Sequence, residues 1–111
     1  MEDCLFCQIA AGKIPSKKVY EDAHVLAFYD IEPKAPVHVL VIPKYHVAGA
    51  REITAENSAA VARVFEAIPA IAEKLGVTDY RIVTNNGADA GQTVQHLHFH
   101  LLAGRVLGEM G

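Results

Sequence analysis

The chain of 111 residues lacks the features of several large classes of protein. It has no cluster of lysine and arginine, and its formal net charge is -3. A general nucleic-acid or anionic-membrane surface is therefore not expected, because such surfaces need concentrated positive charge. No apolar run reaches the roughly 18 residues that span a bilayer. Met1-Glu2-Asp3 lacks the positive start of a signal peptide, so the sequence predicts a cytoplasmic protein without a membrane partner.

Cysteine is scarce, and the two cysteines, Cys4 and Cys7, lie close together. A reducing cytoplasm disfavours a stable disulfide. A C-x-x-C pair can supply half of a metal site, act as a redox pair or consist of two core thiols. The remaining composition, 51% hydrophobic and 21% charged, is typical of a globular protein. This length predicts a single domain over residues 1–111.

Hydrophobic periodicity and turn residues predict an α+β domain. Its sheet is expected to be antiparallel, mostly a meander of about five strands, with one short and one long helix. The predicted strands are Lys18–Glu21, His24–Tyr29, Val37–Ile42, Asp79–Thr84 and Thr93–Ala103. Asp3 is the expected cap of the short helix, and Gly12 is its expected stop.

The long helix is predicted from apolar residues at helical spacing. They are Val61, Val64, Phe65, Ile68, Ile71, Ala72 and Leu75. Thr54 is the expected N-cap and Gly76 the expected residue just beyond the C-terminus. Pro69 predicts a kink within one helix.

Three histidines alternate with large apolar residues in His96-Leu97-His98-Phe99-His100-Leu101-Leu102. In an extended strand, alternate side chains share one face. The histidines are therefore expected on one face of the strand, and the apolar residues are expected on the other face, against a core. Imidazole titrates near neutrality, and three such rings together favour proton transfer, nucleophilic attack or metal ligation. One histidine is often merely structural, but three in register are poorly explained in that way.

These residues resemble the histidine triad (HIT) family, whose signature is His-φ-His-φ-His-φ-φ with φ apolar. The stretches 26–31, 35–44 and 85–95 agree with the family as well. The short continuation after Ala103 resembles the Hint branch, and the resemblance as a whole implies a zinc-binding bacterial-type member.

The resemblance implies catalysis by three histidines. His98 corresponds to the nucleophile, His100 to a ring that contacts the phosphate or the leaving atom, and His38 to an additional active-site histidine. The residues alone do not distinguish His98 from His96 as the nucleophile. Attack by a neutral imidazole on phosphorus would divide one difficult displacement into two easier ones.

A purine nucleotide site is implied as well. Asn85, Gly91 and Thr93 correspond to residues near the phosphate, with Thr93 where Hint proteins commonly carry Ser. Asp30 can accept hydrogen bonds from the ribose hydroxyls, and Ile31 lies beside the ribose. The expected apolar slot for the base consists of Leu5, Phe6, Ile9, Phe28 and Leu40. Each of these is equally a plausible core residue, Asp30 could begin a turn, and the loop could be an ordinary Gly/Asn turn.

His46 and His96 can complete a metal site with Cys4 and Cys7. If the strand bearing His38 runs antiparallel to the histidine strand, His46 and His96 come to the same end of the sheet. Many bacterial HIT proteins bind zinc with this pattern, which implies a structural zinc ion that catalysis does not require. His24 fits neither site and is expected at the surface.

The resemblance favours a purine nucleoside phosphoramidase that cleaves adenosine or guanosine phosphoramidates. The alternatives are a dinucleoside polyphosphate hydrolase, a nucleotide-binding interaction module with incidental turnover, and one zinc site formed by all the histidines with the cysteines. The family also implies a homodimer in which the long helices pack together.

Overall fold

The computed structural model describes residues 3–110, which form an antiparallel sheet with a helix on each face. The strands are β1 (Lys18–Glu21), β2 (Val25–Tyr29), β3 (Val37–Pro43), β4 (Arg81–Val83) and β5 (Phe99–Ala103). The helices are α1 (Leu5–Ala10) and α2 (Ser58–Leu75), and single 3₁₀ turns lie at Ala50–Glu52 and Ala88–Ala90. The α+β class, the five strands and both helices confirm the prediction.

The strand order in the sheet is β1-β2-β3-β5-β4. The first three strands form a meander, whereas β5 lies between β3 and β4. β3 and β5 pair antiparallel, with His38 opposite Leu102 and Leu40 opposite His100. This pairing brings His38 and His100 onto the same face as diagonal neighbours.

The two faces of the sheet bury different sets of apolar residues. Val39 and Val41 of β3 pack with Val64, Ile68 and Ile71 of α2. The opposite face consists of Leu26, Phe28, Leu40 and Ile42, which pack with Phe6 and Ile9 of α1. Leu97, Phe99 and Leu101 lie in the α2 core, as the alternation predicts. The short helix α1 covers only part of its face and leaves space above the histidines.

The expectation that one strand, 93–103, carries all three histidines of the motif is wrong. β5 begins at Phe99, so His96 and His98 precede it. In the register of β3 and β5, Leu97 would lie opposite Pro43, which has no N–H to continue the ladder. The N–H of Leu97 donates instead to the carbonyl oxygen of Val47 at 2.6 Å. β2 and β4 are likewise shorter than predicted.

Both predicted helix N-caps are wrong as well. α1 is capped by Cys4, whose Sγ accepts the N–H of Cys7 at 3.4 Å. The hydroxyl of Thr54 accepts the N–H of Glu56, and Oδ1 of Asn57 accepts the N–H of Thr54 at 2.7 Å. These bonds close a separate turn before α2, which begins at Ser58.

The C-terminus of α2 agrees with the prediction, because Gly76 adopts the left-handed conformation (φ 71°) that ends many helices. The helix continues through Pro69 as a single element. Phe65, predicted to face the core, is 49% exposed, although the edge of its ring packs against Phe99. Neither helix within residues 3–110 has the length and apolar character needed to cross a membrane.

Candidate active site and metal cluster

His38 and His100 form the centre of a cluster of polar side chains on the α1 face of the sheet. Nε2 of His38 lies 2.9 Å from Nδ1 of His100, and the ring centroids are 5.1 Å apart. His38 is buried and His100 half-buried. A carboxylate oxygen of Asp30 lies 3.5 Å from Nε2 of His38. The fold thus brings together residues from β3, β5 and the loop after β2.

A backbone N–H defines the protonation pattern of this pair. The N–H of Lys34 donates to Nδ1 of His38 at 3.0 Å, so this nitrogen is an acceptor and the proton of a neutral His38 is on Nε2. Nε2–H can then donate to Nδ1 of His100. A neutral His100 must in turn carry its proton on Nε2. His100 therefore presents an N–H donor rather than a nucleophilic nitrogen.

Burial favours the neutral forms of both rings. Desolvation lowers the pKa of His38, against a smaller raising effect of the Asp30 carboxylate. Desolvation, followed by smaller effects of His98 and His38, lowers the pKa of His100 to about 4. At neutral pH the two rings are therefore uncharged and are joined by a hydrogen bond.

His98 has the opposite protonation pattern. Its Nδ1 lies 2.7 Å from the carbonyl oxygen of His96, which can only accept, so a neutral His98 carries its proton on Nδ1. Nε2 is then free and unprotonated. The Thr84 hydroxyl donates to the carbonyl of His98 at 2.8 Å, and Phe6 packs edge-on at 5.1 Å between ring centroids. The ring of His98 is thus held by one hydrogen bond and by Phe6, and its backbone is held by Thr84.

A cavity of about 730 Å³ lies between α1 and the sheet, and His98 and His100 line one end of it. The sequence-predicted residues that line it are Leu5, Phe6, Ile9, Phe28, Asp30, Ile31, Leu40 and Thr93. Ile9 and Leu40 line this cavity and also belong to the hydrophobic core. The sequence left open whether they are core or pocket residues, and in the structure they contact both. Ile31 stands at the rim and is 94% exposed. The residues predicted to form an apolar slot for a base therefore line one cavity, and the binding of a base there stays a prediction.

A second, more polar cavity of about 450 Å³ adjoins the first. Asn85, Gly91 and Thr93 line it together with all three proposed catalytic histidines. Asp30, Thr93, His98 and His100 line both cavities and mark their junction. The two cavities together have an apolar end, a carboxylate at the middle and a polar end next to the histidines.

The loop that borders the polar cavity is held by a buried amide. Nε2 of Gln92 donates to the carbonyls of Ala48 and Val94, and its Oε1 accepts the N–H of Gly87 at 2.9 Å. Gly91 has φ 102°, a conformation that favours glycine. A Cβ there would lie 3.4 Å from the Asn85 amide nitrogen. The chain thus approaches Asn85 closely, as a cradle for an oxyanion requires.

The four residues predicted to hold a metal lie together at the other end of the histidine segment. The donor atoms of Cys4, Cys7, His46 and His96 all lie within 4.8 Å of one another. Sγ of Cys7 is 3.2 Å from Nδ1 of His46, and Sγ of Cys4 is 3.4 Å from Nδ1 of His96. Bonds of about 2.0–2.3 Å at tetrahedral angles separate zinc ligands by about 3.3–3.8 Å. The spacing and the Cys₂His₂ chemistry therefore fit zinc.

The surroundings of His96 also fit a metal ligand. Its Nε2 donates to the carbonyl of Pro43 at 2.8 Å, which directs the lone pair of Nδ1 into the cluster. Burial lowers the pKa of His96 to about 4, so the ring is neutral. Burial, followed by the effects of Cys4, raises the pKa of the Cys7 thiol to about 11. A thiolate at this position thus needs a cation to stabilise it.

Several residues of the site carried no signal in the sequence. Ser16, Lys17, Tyr29 and Val94 line the apolar cavity, and Glu32, Lys34, Val83 and Leu102 line the polar one. Thr84 and Gln92 act through hydrogen bonds to the backbone of distant segments, which spacing along the chain does not reveal. His24 is exposed, as predicted.

The chain is similar to known proteins over nearly its whole length. Residues 11–107 match the family model described as HIT domain. An uncharacterized HIT-like protein of Synechococcus elongatus is 50% identical over 96% of this chain and 94% of that protein. The purine nucleoside phosphoramidase of Escherichia coli K12 is 40% identical over 98% of this chain and 93% of that protein. A solved HIT family hydrolase from Clostridium thermocellum matches with a TM-score of 0.94 and 46% identity, over 99% of this chain and 97% of that one.

Proposed function

The chain belongs to the HIT domain family, and on that premise we propose that it is a purine nucleoside phosphoramidase. Its substrates would be adenosine or guanosine 5′-monophosphoramidates, whose P–N bond it hydrolyses to a nucleoside monophosphate and an amine. The observation that carries the proposal is the hydrogen bonding of two adjacent rings, from which a neutral His98 has a free Nε2 and a neutral His100 has an Nε2–H. A nucleophile and a donor for the departing group are what this displacement requires.

In the proposed first step, Nε2 of His98 attacks the α-phosphorus and the P–N bond breaks. The leaving nitrogen takes the bond electrons, and it accepts a proton from solvent to depart as an amine, while Nε2–H of neutral His100 donates a hydrogen bond to it without giving up its proton. The carbonyl of His96 stabilises the positive charge that develops on His98, because it already accepts the Nδ1 proton. The product is a nucleotidyl-histidine.

In the second step, water attacks the same phosphorus and the bond to His98 breaks. Nε2 of His98 recovers its lone pair, the attacking water gives one proton to solvent, which replaces the proton taken up by the amine, and the nucleoside monophosphate leaves. His38 takes part as a positioning residue, because its Nε2–H bond to His100 sets which nitrogen of His100 donates. Asn85, Gly91 and Thr93 would contact the phosphoryl oxygens from the polar cavity.

The nucleoside would occupy the apolar cavity. Phe6 and Phe28, whose rings pack edge to face at 5.6 Å, supply aromatic surface for the purine, and Leu5, Ile9 and Leu40 supply aliphatic surface. Asp30 would accept hydrogen bonds from the ribose hydroxyls at the junction of the two cavities, with Ile31 alongside. Binding of this kind depends on a few polar groups in a largely apolar pocket.

The proposal includes a structural zinc ion held by Cys4, Cys7, His46 and His96. Bound zinc would tie α1, the segment after β3 and the histidine segment together, and it would supply no chemistry to the reaction. The support is the donor spacing and the Pro43 carbonyl that orients His96.

A homodimer is also proposed, from the family resemblance and from the half-exposed ring of Phe65 on α2. Light scattering across a range of concentrations tests it, and a monomer at every concentration would contradict it. The cytoplasmic location stays a prediction.

The substrate proposal is tested by comparing a fluorogenic adenosine 5′-phosphoramidate with a diadenosine polyphosphate. We expect kcat/KM to be at least about tenfold higher for the phosphoramidate, a difference of about 1.4 kcal/mol in transition-state stabilisation. The reverse order would favour a dinucleoside polyphosphate hydrolase. Turnover of neither substrate, with nucleotide binding retained, would favour an interaction module.

A further inference from the structure

The hydroxyl of Ser16 is a buried polar atom whose partner is missing from the folded chain. Its Oγ is inaccessible to water and has no hydrogen-bond partner among residues 3–110. A buried hydroxyl without a partner is destabilising, and folded proteins rarely tolerate one without a reason. Ser16 also lines the apolar cavity proposed to hold the nucleoside.

The position of Ser16 is fixed by its neighbours in the chain. Pro15 precedes it and restricts the backbone, and the carbonyl of Lys17 accepts the N–H of Tyr29 at 3.0 Å. Lys18 pairs with Phe28 in the sheet, so the chain at Ser16 runs alongside Asp30. The side chain has one rotatable bond to its oxygen, so a change of staggered rotamer moves Oγ without moving the backbone.

The lining of the two cavities indicates which part of a nucleotide Ser16 would meet. Ser16 lines the apolar cavity and is not among the residues that line the polar cavity with Asn85 and Gly91. It therefore faces the base rather than the phosphate. Its place beside Asp30, the proposed ribose contact, puts it at the sugar edge of the base, where both purines carry the acceptor N3.

We propose that the Ser16 hydroxyl donates a hydrogen bond to N3 of the bound purine, an inference that rests on the proposed nucleotide-binding function. Because adenine and guanine share this acceptor, the contact does not distinguish between the two purines. The residue is thereby assigned to recognition of the sugar edge of the base, and the missing partner of its hydroxyl is the ligand.

Calorimetric titration of wild type and Ser16→Ala with AMP, 3-deaza-AMP and 7-deaza-AMP tests the assignment. With AMP, the substitution is expected to weaken binding about 3- to 10-fold, the range for one net hydrogen bond. With 3-deaza-AMP, which lacks N3, wild type and variant should bind equally. With 7-deaza-AMP, which keeps N3, the loss should reappear. The melting temperature of the free variant should be unchanged or higher, since an unpaired hydroxyl has been removed.

Three outcomes would overturn the inference. Equal AMP affinity of the two proteins would show that Ser16 does not contact the nucleotide. An equal loss with AMP and 3-deaza-AMP would place the contact at another atom. A lower melting temperature with unchanged affinity would show that the hydroxyl has a structural partner. If wild type itself does not bind AMP, the proposed nucleotide-binding function is contradicted, and this inference, which rests on it, is contradicted as well.

Discussion

Nδ1 of His98 lies 2.7 Å from the carbonyl oxygen of His96, a residue whose own ring belongs to the metal cluster. One residue thus contributes its side chain to the cluster and its backbone to the orientation of the proposed nucleophile. His100, two positions beyond His98, is oriented by a different route, through His38 and the N–H of Lys34. The protonation of each ring thus depends on one backbone group, the carbonyl of His96 for His98 and, through His38, the N–H of Lys34 for His100. This arrangement leads to the following predictions.

Replacing Lys34 by proline removes the N–H that fixes the protonation of His38. Without that bond, His38 can carry its proton on either nitrogen, and the N–H that His100 presents is no longer assured. We expect kcat to fall by roughly tenfold, the equivalent of about 1.4 kcal/mol. The matched control is Lys34→Ala, which keeps the N–H and removes the side chain beyond Cβ, including the Nζ that donates to the carbonyl of Glu32. Equal activity of the two variants, both folded by circular dichroism, would contradict the proposed chain of hydrogen bonds.

Loss of the metal should affect stability before it affects chemistry. Cys7→Ser removes one of the four ligands, so we expect less bound zinc and a melting temperature lower by at least about 5 °C. AMP affinity should fall as well, because the same helix that bears Cys7 lines the nucleoside cavity through Phe6 and Ile9. His24→Gln, at an exposed histidine outside the cluster, should change none of the three quantities: the zinc content, the melting temperature and the AMP affinity.

Metal analysis, thermal melting and AMP titration of these two variants measure the effects. The opposite pattern, in which a chelator abolishes turnover at once while the melting temperature holds, would indicate a catalytic metal.

Acidification should destabilise the fold through His100. Burial lowers its pKa from 6.5 to about 4, so between these pH values the unfolded chain binds a proton that the folded chain does not. The contribution to stability is therefore fully present above pH 6.5 and is lost as the pH falls toward 4. His38, whose pKa is also lowered, acts in the same direction.

Melting temperatures measured between pH 7.5 and pH 4 check this dependence, and His100→Asn should show a shallower decline than wild type. Both proteins carry the same metal cluster, so the difference between them isolates His100. Parallel declines would mean that His100 is not held neutral by the fold.

The elements of the fold could be predicted because local patterns determine them. The strand residues of β3 and the apolar stripe of α2 are visible in the sequence. The start of β5 was predicted wrongly because it depends on Pro43, a residue on another strand that cannot continue the ladder. The start of α2 was predicted wrongly because the Asn57 side chain accepts the backbone N–H of Thr54 and the Thr54 hydroxyl accepts that of Glu56, which closes a turn before the helix.

The residues of the candidate site could be located from the motif and the family resemblance, but their protonation could not. Which nitrogen of His38 or His98 carries the proton depends on the orientation of single nearby backbone groups, at Lys34 and at His96, which residue type and spacing do not reveal. Ser16 was missed for a related reason: its lack of a partner becomes visible only when the surrounding structure is known.

The central claim is that Nε2 of His98 attacks phosphorus, and intact-protein mass spectrometry of rapidly quenched turnover tests it most directly. With an adenosine phosphoramidate, a nucleotidyl adduct should form and decay at rates compatible with kcat, and peptide mapping should place it on His98. His98→Ala should form no adduct and lose activity by about three orders of magnitude or more, while still binding AMP. Absence of any adduct in the wild type, or an adduct on a different residue, would contradict the account.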